Sequence, residues 1–197
     1  AIAATAHSGG AKVILDNTWS AGQFLKPFGL GVDVSVQAAT KYIAGHADVM
    51  LGLVTAASET DWRRTKTRAG YLGYCAGADD CFLTLRGLRT LDVRMQRHQE
   101  TGLKLADWFQ ERPEVKRVLH PALPGDPGHA IWKRDFSGAS GLFGVVLGEY
   151  PQENVEAMLD GMEFFAMGFS WGGFESLMIQ TNPATLRKAS PWEEPVP

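Results

Sequence analysis

The chain has 197 residues, 45% hydrophobic and 21% charged, a balance that excludes a disordered or collagen-like chain. Nineteen Lys and Arg stand against 22 Asp and Glu, a net charge of −3, so there is no basic excess to hold a phosphate backbone. No uncharged apolar run approaches the roughly 20 residues of a membrane helix, and neither a nucleic acid nor a membrane is expected as a partner.

In chain order, the opening AIAATAHSGGAKVILDN lacks the charged-then-apolar order of a signal peptide. It reads as the tail of a helix, a turn at Gly9-Gly10, and a buried parallel strand over 12–16 that ends on Asp16. Residues 25–31 carry Pro27 and two glycines and read as loop. Val32 to Gln37 alternates strictly and predicts a second strand. Thr40-Lys41-Tyr42 follows, then a turn at Gly45-His46 and a third apolar segment over 49–57. Three strands with short links indicate a mixed or parallel α/β sheet. From Ser58 the pattern turns helical. The longest periodic stretch runs from Asp79 to Arg112 and predicts one long helix, stopped by Pro113, that would bridge two domains. Strands are expected at 115–119 and 141–147, with the loop HPALPGDPGH between them and a helix over 152–161. Residues 164–169 read as strand or loop.

Both ends, an Ala start and the Pro-rich SPWEEPVP, lead to the expectation that the chain is cut from a longer protein. The cysteines, Cys75 and Cys81, are too few for a disulfide framework and read as reduced thiols of a cytoplasmic protein.

Gly168-Phe169-Ser170-Trp171-Gly172 matches the G-x-S-x-G elbow of α/β-hydrolases. That fold requires a histidine after the serine, and all five histidines (7, 46, 98, 120 and 129) precede Ser170. The histidines show no metal-ligand spacing, and no metal site is expected. No G-x-G-x-x-G or G-x-x-x-x-G-K-[ST] fingerprint occurs. The stronger pair is Asp16 and Lys41. Each follows a strand of an α/β sheet, where ligands bind beyond the carboxyl ends. A carboxylate beside a lysine is what a pyridoxal phosphate enzyme needs: one holds the pyridine nitrogen protonated, the other carries the cofactor and serves as base.

Longer runs extend that pair. Val36-Gln37-Ala38-Ala39-Thr40-Lys41-Tyr42-Ile43-Ala44-Gly45-His46-Ala47-Asp48 resembles the cofactor-lysine segment of the Cys/Met-metabolism pyridoxal phosphate enzymes. Asp16-Asn17-Thr18-Trp19 resembles the segment of their pyridinium-binding aspartate, and Ser170-Trp171-Gly172-Gly173-Phe174-Glu175-Ser176 their substrate-carboxylate loop. His120-Pro121-Ala122-Leu123-Pro124, Trp132-Lys133-Arg134-Asp135-Phe136 and Arg86-Gly87-Leu88-Arg89-Thr90-Leu91 fit in the same order. The resemblance implies an α/β chain of PLP-dependent fold type I, like aspartate aminotransferase. It implies part of the large cofactor domain over 1–87 and most of the smaller C-terminal domain over 88–197.

By the same resemblance, Lys41 is the cofactor-bearing and catalytic lysine, Asp16 the pyridinium partner and Thr40 a phosphate contact. Ser170 and Trp171 line the substrate. Ala38, where relatives acting at the γ carbon usually carry Ser, and Trp171, where they tend to carry Leu, point to β-elimination. The implied reaction is carbon–sulfur cleavage of cystathionine, an amino-acid thioether, in methionine biosynthesis. A sister specificity at the γ carbon or on cysteine conjugates stays open, as does a non-catalytic piece serving assembly. Family active sites lie between subunits, which implies a homo-oligomer, a dimer or tetramer. The phosphate loop, the ring-stacking tyrosine and the substrate-clamping arginine of the family match nothing in this chain, so the isolated chain is not expected to turn over substrate.

Overall fold

A computed structural model describes residues 2–193; the last four residues of the Pro-rich ending lie outside the described residues. The elements are α1 (Ile2–Ser8), β1 (Ile14–Asp16), β2 (Val34–Ala38), β3 (Gly52–Ala56), α2 (Glu59–Tyr71), α3 (Ala78–Leu88), α4 (Leu91–Gln110), β4 (Val115–Leu119), α5 (His129–Asp135), β5 (Gly144–Leu147), α6 (Gln152–Asp160) and α7 (Pro183–Leu186).

The first sheet is mixed, in the order β1-β2-β3. Strands β1 and β2 run parallel with Asp16 opposite Val36, and a long connection with two short 3-10 turns joins them, as a parallel pair requires. Strand β3 is antiparallel to β2, with Ala38 opposite Gly52. Strand β1 was expected to be buried, yet Ile14 is 66% exposed and β3 is open along most of its length. Each lies at an edge of a three-stranded sheet.

Ser58 caps α2, its hydroxyl accepting from the Asp61 amide at 3.1 Å, which satisfies one of the free donors of the first turn. The single long helix expected over 79–112 is instead two. Helix α3 ends at Leu88 and α4 begins at Leu91. The break falls where the Thr90 hydroxyl and amide both return to the Gly87 carbonyl at 3.1 Å. Helix α4 then buries Leu91, Met95, Gly102 and Ala106 on one stripe. The loop expected after β4 is present up to Gly128, and a helix that was not expected, α5, follows it and buries no residue.

The main core gathers Ala21, Phe24, Ala39, Tyr42, Ile43, Leu91 and Met95, with Leu51 and Trp171 against it. Three of these flank Lys41 in sequence, so the lysine turn is nailed to the core by its neighbours. A full Met or Leu side chain buried this way contributes about 1.5–3 kcal/mol. A second cluster of Ala106, Val118 and Leu123, with Phe109, Val115 and Phe143 against it, ties α4 to the antiparallel β4-β5 pair. Among the described residues no helix is long and apolar enough to cross a membrane. Cys75 and Cys81 are exposed free thiols.

Candidate active site

Asp16 ends β1 and projects from its carboxyl end. Its Oδ1 accepts from the Thr18 amide at 2.9 Å and from the Thr18 hydroxyl at 2.6 Å. The Thr18 oxygen accepts in turn from the Ala38 amide at 2.9 Å. The carboxylate is therefore tied through one hydroxyl to the end of β2, three residues before Lys41. Among the described residues no donor reaches Oδ2, which leaves that oxygen for a ligand.

Residues 38–45 form a tight turn: the Lys41 amide donates to the Ala38 carbonyl at 3.1 Å, Ala44 to Ala39 at 2.8 Å and Gly45 to Lys41 at 2.9 Å. The turn aims the Lys41 side chain out of the core. Its Nζ donates to Ser170 Oγ at 3.0 Å and stands 5.1 Å from the centre of the Trp171 ring, a cation–π contact. Trp171 meets Tyr42 at 5.3 Å and Trp19 edge-on at 6.1 Å. These rings make one wall that reaches from the Asp16 segment to Lys41.

The 170–173 loop approaches this closely because of Gly172. Its φ is +82°, and a Cβ there would lie 2.8 Å from the Tyr42 nitrogen and 3.0 Å from the Lys41 carbonyl carbon. Only glycine fits. No helix follows Ser170 directly, and the next, α7, starts at Pro183. The strand–turn–helix context of a hydrolase elbow is therefore absent, and the neighbour of Ser170 is a lysine, not a histidine.

The structure brings Lys41, Ser170 and Trp171 into contact and links Asp16 to the start of the lysine turn through Thr18 and Ala38. Thr40 sits beside Lys41, but its hydroxyl turns to β3. It accepts from the Leu51 amide at 3.0 Å and points at the Leu51 carbonyl across 3.4 Å. The accepting bond is well formed while the donating one is long, so the hydroxyl proton is the part free to turn to a ligand. Three further residues shape the site: Thr18, which bridges Asp16 to Ala38; Trp19, which extends the wall; and Arg94, whose guanidinium grips the lysine turn from behind. Arg94 gave no distinct signal in the sequence, being one of several basic residues on α4.

This donor set fits pyridoxal phosphate. A primary amine is anchored in a turn held by the core and faces an aromatic ring, and a carboxylate with one unclaimed oxygen is tied to the strand end just before it.

Comparison with known proteins bears on the same residues. A family profile described as Cys/Met metabolism PLP-dependent enzyme matches residues 1–194. Cystathionine beta-lyase MetC of Escherichia coli is 45% identical over 183 residues, covering 92% of this chain and 46% of that protein. The cystathionine beta-lyase of Salmonella typhimurium is 46% identical over 182 residues, with the same coverage of each. Among solved structures, cystathionine gamma synthase from Xanthomonas oryzae pv. oryzae in complex with cystathionine superposes with a TM-score of 0.86 at 36% identity. That match covers 89% of this chain and 45% of the synthase. The chain spans about half the length of the relatives it matches.

Proposed function

Because the chain belongs to the Cys/Met metabolism PLP-dependent enzyme family, we propose that the protein carrying it is a carbon–sulfur lyase. It cleaves L-cystathionine at the β carbon: with one water consumed, the thioether yields homocysteine, pyruvate and ammonia. The observation that carries this reading is the Lys41 amine held 3.0 Å from Ser170 Oγ under Trp171. Asp16 is tied through Thr18 to Ala38, at the start of the same turn.

Bound pyridoxal phosphate supplies an electron sink conjugated to the substrate Cα. The residues of this chain supply the rest. Lys41 would hold the cofactor through its amine. Released, its amine is the base that takes the Cα proton, and the same nitrogen returns a proton to the departing sulfur. Asp16 would keep the pyridine nitrogen protonated, and Thr18 holds Asp16 in place. Ser170 Oγ accepts a hydrogen bond from Lys41 Nζ and orients it. Trp171 forms the wall against which the substrate lies, and Thr40 donates its hydroxyl proton to the phosphate. The 1–87 and 88–197 segments are the cofactor-domain and C-terminal-domain parts on this reading. The setting is cytoplasmic, within methionine biosynthesis, and the working form is a homo-oligomer, a dimer or tetramer.

Product identity tests the reaction. The protein at its natural length, given L-cystathionine, is expected to release pyruvate, and Lys41→Ala to release none. Release of 2-oxobutyrate instead marks elimination at the γ carbon. Pyruvate formed by Lys41→Ala at the parent rate contradicts the role of the lysine.

A further inference from the structure

The turn that carries Lys41 leaves two carbonyls, those of Tyr42 and Ile43, pointing away from the site toward α4. Both are taken by Arg94. Its Nη1 donates to the Tyr42 carbonyl at 2.6 Å and its Nη2 to the Ile43 carbonyl at 3.2 Å. The same Nη2 donates to the Gly87 carbonyl at 2.8 Å and Nε to the Thr90 hydroxyl at 3.1 Å. One guanidinium thus joins the lysine turn to the end of α3 and the start of α4. Among the described residues no carboxylate pairs with it, so its positive charge is met by three carbonyls and one hydroxyl. That is the arrangement of a cation capping the carbonyl end of a helical turn.

The surroundings are cut to admit it. Gly45, at the end of the lysine turn, packs directly on the guanidinium, and a Cβ there would lie 2.5 Å from Cζ. Leu91 and Met95, beside Arg94 on α4, are buried in the same cluster as Ala39, Tyr42 and Ile43. On the opposite side of the turn stands the Lys41–Ser170 contact. The backbone between the two is only the 41–43 segment.

We infer that Arg94 is a positioning residue: by holding the Tyr42 and Ile43 carbonyls it fixes where the Lys41 amine stands relative to Ser170 and Asp16. This rests on the reading of Lys41 as the cofactor lysine. Loss of the strut frees two carbonyls and lets the turn shift, and displacement of a reacting group by about 1 Å costs on the order of 100-fold in rate. A lysine at this position reaches fewer of the four acceptors and lacks the planar fork.

The test uses the protein at its natural length, as parent, Arg94→Met and Arg94→Lys, freed of cofactor and then given pyridoxal phosphate. Three quantities are read: the melting temperature without cofactor, the rate at which borohydride traps the cofactor on Lys41, found by peptide mapping, and kcat and KM for pyruvate release. In folded Arg94→Met, trapping rate and kcat are expected to fall together by about 10- to 100-fold. KM should stay within about threefold, and Arg94→Lys should lie between that variant and the parent. Folded Arg94→Met with trapping rate and kcat within about twofold of the parent overturns the inference. If Arg94→Met does not fold, Arg94→Lys decides: a reduced trapping rate and kcat at an unchanged melting temperature supports the strut, and parent values overturn it. A parent protein labelled elsewhere than Lys41 overturns the proposed function itself. A parent labelled on Lys41 with indifferent Arg94 variants overturns only the strut.

Discussion

Replacing Gly87 with alanine sets two physical effects against each other. Gly87 lies inside α3, where alanine is favoured over glycine by about 1 kcal/mol. Propensity alone predicts a more stable protein. The structure predicts the reverse. A Cβ on Gly87 would stand 2.6 Å from the Ile43 carbonyl oxygen, 2.8 Å from the Ala44 carbonyl carbon, and closer still to the Ala44 oxygen. These are backbone atoms of the lysine turn, which Tyr42 and Ile43 lock into the core. They cannot rotate away as a side chain would. Overpacking of this kind costs about 1–3 kcal/mol, and the upper part of that range applies where backbone must move. The net expectation is a loss of about 1–2 kcal/mol, or roughly a 5- to 30-fold fall in the folded-to-unfolded ratio. Gly70, inside α2 with no atom within 4 Å of its Cβ position, is the matched control. Gly70→Ala should gain up to about 1 kcal/mol. Urea unfolding followed by tryptophan fluorescence reads both, since the chain has six tryptophans. A higher midpoint for Gly87→Ala, equal to that of Gly70→Ala, would refute the close approach of α3 to the lysine turn.

Two further outcomes concern residues away from the lysine. Ala47 holds a left-handed φ of 56°, which costs a non-glycine residue about 1–2 kcal/mol. Ala47→Gly should therefore raise the urea midpoint, by about 0.5–1 kcal/mol once glycine's greater freedom in the unfolded chain is counted; a lower midpoint contradicts the strain. Asp33 accepts from the Val13 amide, from His7 and from Lys12, and these partners, the amide first, hold its carboxyl well below the ordinary 3.8. The folded value lies below the unfolded one, so this network stabilises the protein above about pH 4 and the contribution is lost as the pH falls further. Asp33→Asn should lower the midpoint at pH 7 and flatten its decline below pH 4, between pH 4 and pH 2; an equally steep decline in the variant contradicts that assignment.

The chemistry was more legible in the sequence than its scaffold. Asp16 and Lys41 stood out because both follow strands whose apolar patterns are plain, and the parallel β1-β2 pairing places both beyond the same sheet end. The Ser170 loop was legible only through its resemblance to the family's substrate-carboxylate loop; that Gly172 lets it pass close to the lysine turn is seen in the structure. The α3–α4 break was not readable. Residues 89 and 90 are Arg and Thr, neither a helix breaker, and the chain turns there because α3 must meet the lysine turn and Thr90 folds back on Gly87. Those are tertiary demands with no local signature. Helix α5 escaped for the opposite reason: it buries nothing, so it carries no apolar stripe. The expected burial of β1 failed because an apolar run records what a strand can pack against, and the partner for Ile14 is not among the described residues. Arg94 was visible only as one more basic residue. Its four acceptors come from backbone and a hydroxyl that the fold, not the sequence, assembles.

The central claim, that Lys41 carries pyridoxal phosphate, is tested most directly by chemical trapping. The natural-length protein is mixed with pyridoxal phosphate, reduced with borohydride, digested and mapped. The account predicts a visible absorbance band before reduction, a single label on Lys41 after it, and neither in Lys41→Ala. A label on another lysine, or no label at all on the natural-length protein, would contradict it.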